Sequence, residues 1–193
     1  MVAKAWEQAE KVGGRSYFAP RTALITGAGP IGLLAALLGV QRGLDVHVLD
    51  RMTDGKKPDL VRQIGATYHH DLDVLTHKPD VVIECTGAGE LVFEILQRTG
   101  RNAVTVLTGL SGQQRSIPIP ASAINDNLVL ENDALVGSVN ASLNNYQQAA
   151  AALAAADQQW LQQLITRRVP LDKWPEALNR QPDDVKVVVD LQT

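Results

Sequence analysis

Short apolar runs recur along the chain, separated by segments whose apolar positions follow a helical period. Residues 23–26, 45–49, 66–69, 80–85, 102–108 and 134–139 are brief runs rich in Val, Ile, Leu and Thr, and this length and composition predict strands. Residues 31–42, 58–64, 90–98 and 121–131 lie between them and predict helices, several of them stopped by glycine at Gly43, Gly65 and Gly100. Strands joined through helices must run parallel. The continuous apolar centre of Asp-Val-Val-Ile-Glu-Cys at 80–85 fits a sheet covered on both faces. The expected fold is therefore α/β: a Rossmann-type, doubly wound parallel sheet of about six strands.

The two ends break this alternation. Residues 2–12 carry Val2, Ala5, Trp6, Ala9 and Val12 at helical spacing. This narrow apolar face is expected to pack on the sheet or on a segment outside the sequence. Residues 143–165 place Leu143, Tyr146, Ala150, Leu153, Trp160 and Leu164 near one helical face, with Asp157 a break and a new N-cap. A strand (166–171), a short helix (172–179) and a strand (185–191) follow. The chain thus divides into a dinucleotide-binding unit at 1–142, with a linker helix in 1–20, and a helical and strand extension at 143–193.

The junction of the first strand and helix reads Thr-Gly-Ala-Gly-Pro-Ile-Gly. Gly27, Gly29 and Gly32 form Gly-x-Gly-x-x-Gly after a strand and at the opening of a helix, the context that gives the pattern meaning. Gly27 permits the turn, Gly29 lets a pyrophosphate approach the backbone, and Gly32 lets helix and sheet pack closely. Pro30 and Ile31 open the helix whose N-terminus receives the anion. Asp50, eighteen residues past Gly32 at the end of the second strand, stands where a carboxylate accepts hydrogen bonds from the adenosine ribose. That favours NAD. Arg51 beside it keeps NADP possible. Thr86–Gly87 and Thr108–Gly109–Leu110 end the fourth and fifth strands, on the side where open α/β sheets bind ligands.

The charge balance is near neutral, with 18 Lys+Arg against 21 Asp+Glu, and the cations are scattered, which argues against a nucleic-acid partner. The longest apolar run is too short to span a membrane, and the N-terminus lacks a leader's apolar core; a cytoplasmic location is expected. Cys85 is the only cysteine, expected as a packing residue rather than a reactive thiol. His69 and His70 are neighbours on a strand, so their side chains diverge and a shared metal is not expected. Tyr17, Tyr68 and Tyr146 have no lysine four residues on, which excludes the Tyr-x-x-x-Lys pair of a self-contained short-chain dehydrogenase.

Beyond the glycine loop, Ile64-Gly65-Ala66-Thr67-Tyr68, Val82-Ile83-Glu84-Cys85-Thr86-Gly87 and Val136-Gly137-Ser138-Val139-Asn140-Ala141 resemble the zinc-dependent medium-chain dehydrogenases, in their glucose 1-dehydrogenase branch. The resemblance runs from Val2 to Leu191. It implies hydride transfer from C1 of an aldose to NAD(P). It further implies that Ser138, Val139 and Asn140 lie along the nicotinamide, with Asn140 also near the sugar. It places Thr108, Gly109 and Leu110 at the nicotinamide pocket and Lys186 within reach of the cofactor. In that family a preceding domain carries the catalytic zinc and most sugar contacts. No catalytic residue and no metal ligand are therefore expected in these 193 residues, and this portion alone is expected to lack turnover. The competing expectation is a free-standing NAD(P)-binding or redox-sensing module that docks a partner through its Trp6 and Trp160 faces. A homo-oligomer paired through the strand at 134–139 is expected in either case.

Overall fold

The computed structural model describes residues 1–112 and 116–192. Helix α1 (Val2–Gly13) precedes β1 (Thr22–Thr26), α2 (Pro30–Gln41), β2 (Asp45–Leu49), α3 (Lys56–Gln63), β3 (Thr67–His69), β4 (Val81–Glu84), α4 (Gly89–Ile95), β5 (Val104–Leu107), α5 (Ala121–Leu130) and β6 (Ala134–Gly137). These six strands form one parallel sheet in the order β3-β2-β1-β4-β5-β6. The order reverses between β1 and β4, and the crevice for a ligand opens there, outside the carboxyl ends of the strands.

Alternate side chains of the central strands enter two apolar layers. Ile25, Val46, Val48, Val81, Ile83, Val104 and Val106 join α1, α2 and α3 in the larger core, while Leu24, Leu49 and Val82 meet Ile95 of α4 on the opposite face. Burial on both faces explains the continuous apolar runs, since a half-solvated strand would alternate.

The C-terminal unit comprises α6 (Leu143–Ala154), α7 (Gln158–Gln163), β7 (Ile165–Pro170), α8 (Trp174–Leu178) and β8 (Lys186–Asp190), with β7 and β8 paired parallel. Ser142 and Asn145 form a capping box at α6. Asp157 caps α7, accepting from the N–H groups of Gln159 and Trp160, as its position predicted.

The apolar face of α1 packs on the sheet and α2, one of the two outcomes expected for it, whereas the docking faces and the single stripe over 143–165 are corrected by burial. Trp6 is 1% exposed; its indole N–H donates to the Ala35 carbonyl (3.1 Å). Its ring packs so closely that a Cβ on Gly39 would stand 3.0 Å from it. Trp160 is 2% exposed and donates to the Leu60 carbonyl (2.9 Å). Both indoles are spent inside the chain, so neither offers a docking face. The single apolar stripe expected over 143–165 is also divided: Trp160 and Leu164 are buried, whereas Leu143 and Tyr146 are exposed, and the Asp157 N-cap separates the two helices.

Candidate functional site

A cleft of about 900 Å³ lies at the carboxyl ends of β1, β2 and β4. Its floor is the glycine loop. Gly27 adopts φ 84°, which an L side chain rarely takes, and its N–H donates to the Leu49 carbonyl (2.7 Å), tying the loop to β2. A Cβ on Gly32 would lie 1.7 Å from the Gly27 carbonyl oxygen, whereas one on Gly29 would meet nothing within 4 Å. Gly32 is thus required by packing, and Gly29 leaves its approach open to a ligand. Pro30 and Ile31 form the first turn of α2, where backbone N–H groups have no helical acceptor and favour an anion.

Asp50 forms the wall at the end of β2. Its carboxylate accepts from the Ala28 N–H (2.7 Å) and the Met52 N–H (3.2 Å), and it meets the Lys57 ammonium at 3.5 Å. Lys57 is 7% exposed, so this cation is held in the wall rather than in solvent. The Tyr68 hydroxyl donates to the carbonyls of Asp50 and Met52. Burial, with the Asp50 charge, pushes that phenol up to about 12, keeping it a donor.

The ends of β4 and β5 interlock around Glu84, a carboxylate 1% exposed. It accepts from the Thr26 hydroxyl (3.2 Å), the Thr86 N–H (2.6 Å), the Thr86 hydroxyl and the Gly87 N–H (2.9 Å). A Cβ on Gly109 would lie 2.2 Å from the Gly87 nitrogen and 2.8 Å from Glu84 Oε2, and one on Gly87 would lie 2.3 Å from the Leu110 carbonyl oxygen. The two loops therefore fit only with glycine at both positions. Thr108 reaches back through its hydroxyl to the Glu84 carbonyl (2.7 Å). Burial pushes the Cys85 thiol up to about 12, with the Glu84 charge adding and the Thr108 hydroxyl opposing. The thiol stays protonated, as a packing residue should.

Beyond β6, the Ser138 N–H donates to Leu107 (2.8 Å) and the Lys4 ammonium to the Val139 carbonyl (2.8 Å). Asn140 takes φ 62°, a conformation asparagine tolerates better than most residues. The Ser138 hydroxyl is buried without a hydrogen-bond partner in the described structure. A buried orphan of this kind calls for an explanation.

Of the residues expected at the site, Gly27, Gly29, Asp50, Arg51 and Thr86 line the cleft. Gly32, Pro30 and Ile31 stand behind the loop. Gly87, Thr108, Gly109 and Leu110 form the interlocked loops, and Ser138, Val139 and Asn140 continue the row of strand ends. Lys186 opens β8 in an exposed position and does not line the cleft; the C-terminal unit reaches it through Arg180, Gln181 and Pro182 instead. His69 turns to His47 (2.8 Å between ring nitrogens) while His70 lines the cleft. Among the described residues no group of three or more His, Cys, Asp or Glu could hold a metal ion. Sequence reasoning missed Lys57, Glu84 and Arg180. Glu84 alone left a signal, an acid at the end of a fully buried strand.

Residues 1–191 match the family described as glucose dehydrogenase C-terminus. The chain is 33% identical to glucose 1-dehydrogenase of Methanocella arvoryzae, covering 99% of this chain and 56% of that protein. It is 36% identical to the enzyme of the same name from Thermoproteus tenax, covering 97% and 56%. The structure superposes on Haloferax mediterranei glucose dehydrogenase, solved with NADP, Zn and gluconolactone, with a TM-score of 0.90 and 25% identity over 99% of this chain and 56% of the other. The chain thus spans just over half the length of these relatives. Among the described residues no helix is long and apolar enough to cross a membrane. On the family match, this chain belongs to the glucose dehydrogenase C-terminus family.

Proposed function

We propose that the chain is the NAD(P)-binding portion of a glucose 1-dehydrogenase-like oxidoreductase, one that moves a hydride from C1 of an aldose to the nicotinamide. The observation that carries this is the cleft itself: an open approach at Gly29, the N-terminus of α2 behind it, and a carboxylate at the end of β2. The pyrophosphate lies on the α2 N-terminus, and the adenosine ribose faces Asp50. The nicotinamide half extends toward Thr108, Gly109, Leu110, Ser138, Val139 and Asn140. There the buried, unpartnered Ser138 hydroxyl is placed to bond the carboxamide, and Asn140 to approach the sugar. Lys186 serves the cofactor only if β8 shifts toward the cleft.

The bound nicotinamide supplies the hydride acceptor, and a zinc ion held outside these residues polarises the sugar hydroxyl. The residues of this chain bind and orient the dinucleotide and shield its reacting face from water. We assign them no acid or base role, so the chain alone is expected to bind cofactor without oxidising glucose. Titrating the purified chain with NAD and NADP, then assaying glucose oxidation, tests this. Saturable binding without turnover is expected; absence of binding to either at millimolar concentration would overturn it. The partner-docking module is not favoured, because Trp6 and Trp160 are buried.

β6 lies at the end of the sheet and is the proposed seam of a homo-oligomer, with Leu135 half-exposed and Val129 and Leu130 exposed beside it.

A further inference from the structure

We propose that loop 180–182 of the C-terminal unit is a working wall of the cofactor cleft, where Arg180, with Arg51 and Lys57, binds a phosphate on the adenosine ribose. This rests on the NAD(P) reading above and deepens it by naming the residues that set the choice between the two dinucleotides, among them Arg180 from the C-terminal unit.

Three observations carry it. Position is the first. Arg180, Gln181 and Pro182 line the cleft together with Asp50, Arg51 and Lys57. The next residue, Asp183, lies against the β2–α3 connection, so close that a Cβ on Gly55 would stand 3.0 Å from its carboxylate. The loop therefore meets the cleft at its adenosine side, beside the end of β2.

Anchoring is the second. Arg167 of β7 grips Asp184 through two nitrogens, Nε at 3.2 Å and Nη2 at 2.7 Å. It also donates to the carbonyls of Glu176 (3.0 Å) and Asn179 (2.8 Å), bracketing the loop from both sides. Asp184 in turn accepts from the Gln181 N–H (2.8 Å). The pair is 19% and 8% exposed at its side chains, and this planar, two-point contact fixes orientation as well as distance. Arg167 and Asp184 are positioning residues: they hold the backbone on which Arg180 stands.

Charge is the third. Asp50 alone would repel a 2′-phosphate. Its carboxylate, however, is engaged by two backbone N–H groups and by the Lys57 ammonium, which offsets that repulsion at short range. Arg51 and Arg180 line the same cleft with exposed side chains and make no salt bridge among the described residues. Arginine's forked donors suit a phosphate better than any other side chain. A ribose without the phosphate still finds the Asp50 oxygens, so the site accepts both dinucleotides and Arg180 sets their ratio.

The test is equilibrium titration of the full chain with NAD, NADP, 5′-AMP and 2′,5′-ADP, in the native sequence and in Arg180→Ala, Arg180→Lys and Arg180→Glu. Arg180 is exposed, so these variants are expected to fold. Loss of one charge-assisted contact predicts an affinity for NADP and 2′,5′-ADP lower by about tenfold in Arg180→Ala and more in Arg180→Glu, with partial recovery in Arg180→Lys. NAD and 5′-AMP are expected to change less than about twofold. An unchanged NADP/NAD ratio in Arg180→Ala, or native protein that binds NAD but not NADP, would overturn this inference alone. Native protein that binds neither dinucleotide would remove the cofactor reading with it.

Discussion

Glu84 is a carboxylate held between two loops by four donors from Thr26, Thr86 and Gly87, with no salt bridge to it among the described residues. An amide in its place would turn donors against donors. Each buried polar group left unpaired costs about 1–3 kcal/mol, so Glu84→Gln is expected to destabilise the chain by roughly 2–3 kcal/mol in urea unfolding. An unchanged midpoint would show that the loops do not depend on this carboxylate. His69 makes a second prediction at this scale. Burial, and then the charges of His47 and His70, hold its pKa below the usual value. The folded state therefore binds fewer protons than the unfolded chain, and stability is lost as pH falls below about 6.5. His69 is also 2.8 Å from His47, a distance that requires one ring to donate and the other to accept. Thermal unfolding should shift downward between pH 7 and about 5.5, and less steeply in His69→Gln; parallel pH profiles would contradict this.

The order and type of the elements were legible because local chemistry punctuates them. Glycines follow the C-caps of α2 and α3 at Gly43 and Gly65, Asp157 caps α7, and apolar runs of strand length fill the sheet. Boundaries moved by up to three residues; α4 ends at Ile95, well before the expected stop at Gly100. The direction of the amphipathic faces was less legible. The Trp6 face read as packing either on the sheet or on a segment outside the sequence and takes the first course, with α2 beside it, while Trp160 is buried against α3. A helical wheel gives a face its width and not its partner. Lys57 and Arg180 were invisible for a related reason. Lys57 sits in the stretch 53–58, which reads as a polar loop before the helix at 58–64, and Arg180 reaches the cleft only through the tertiary packing that sets the neighbouring Asp183 against Gly55. Trp160→Ala tests the joint between the C-terminal unit and α3. Removal of a buried indole is expected to cost roughly 3–5 kcal/mol, with both units melting together in calorimetry. Loss of the C-terminal unit's structure alone, with the sheet intact, would contradict a shared core.

The molecule as a whole is a sheet whose strand ends share one rim. Asp50, the glycine loop, the Glu84-locked loops and Ser138–Asn140 occupy successive positions along it, in the spatial order of the strands β2, β1, β4, β5 and β6. On the proposed reading, a dinucleotide laid along that rim would meet the free N–H groups of the α2 N-terminus in the middle and different polar groups at each end. At the far end, β6 leaves a strand edge open, and unpaired edges invite a second copy. If the proposed homo-oligomer forms there, Leu135→Lys, on the half-exposed face of β6, is expected to dissociate it to monomer in light scattering. A native chain that is monomeric at high concentration would remove the seam from the account.

Cofactor binding along the rim is tested most directly by a map of backbone amide shifts in the isotopically labelled chain as NADP is added. Saturable shifts are expected at Gly27, Gly29, Ile31 and Gly32, continuing to Arg51 on one side and to Gly109 and Ser138 on the other. Shifts confined to other surfaces, or none at saturating cofactor, would contradict it.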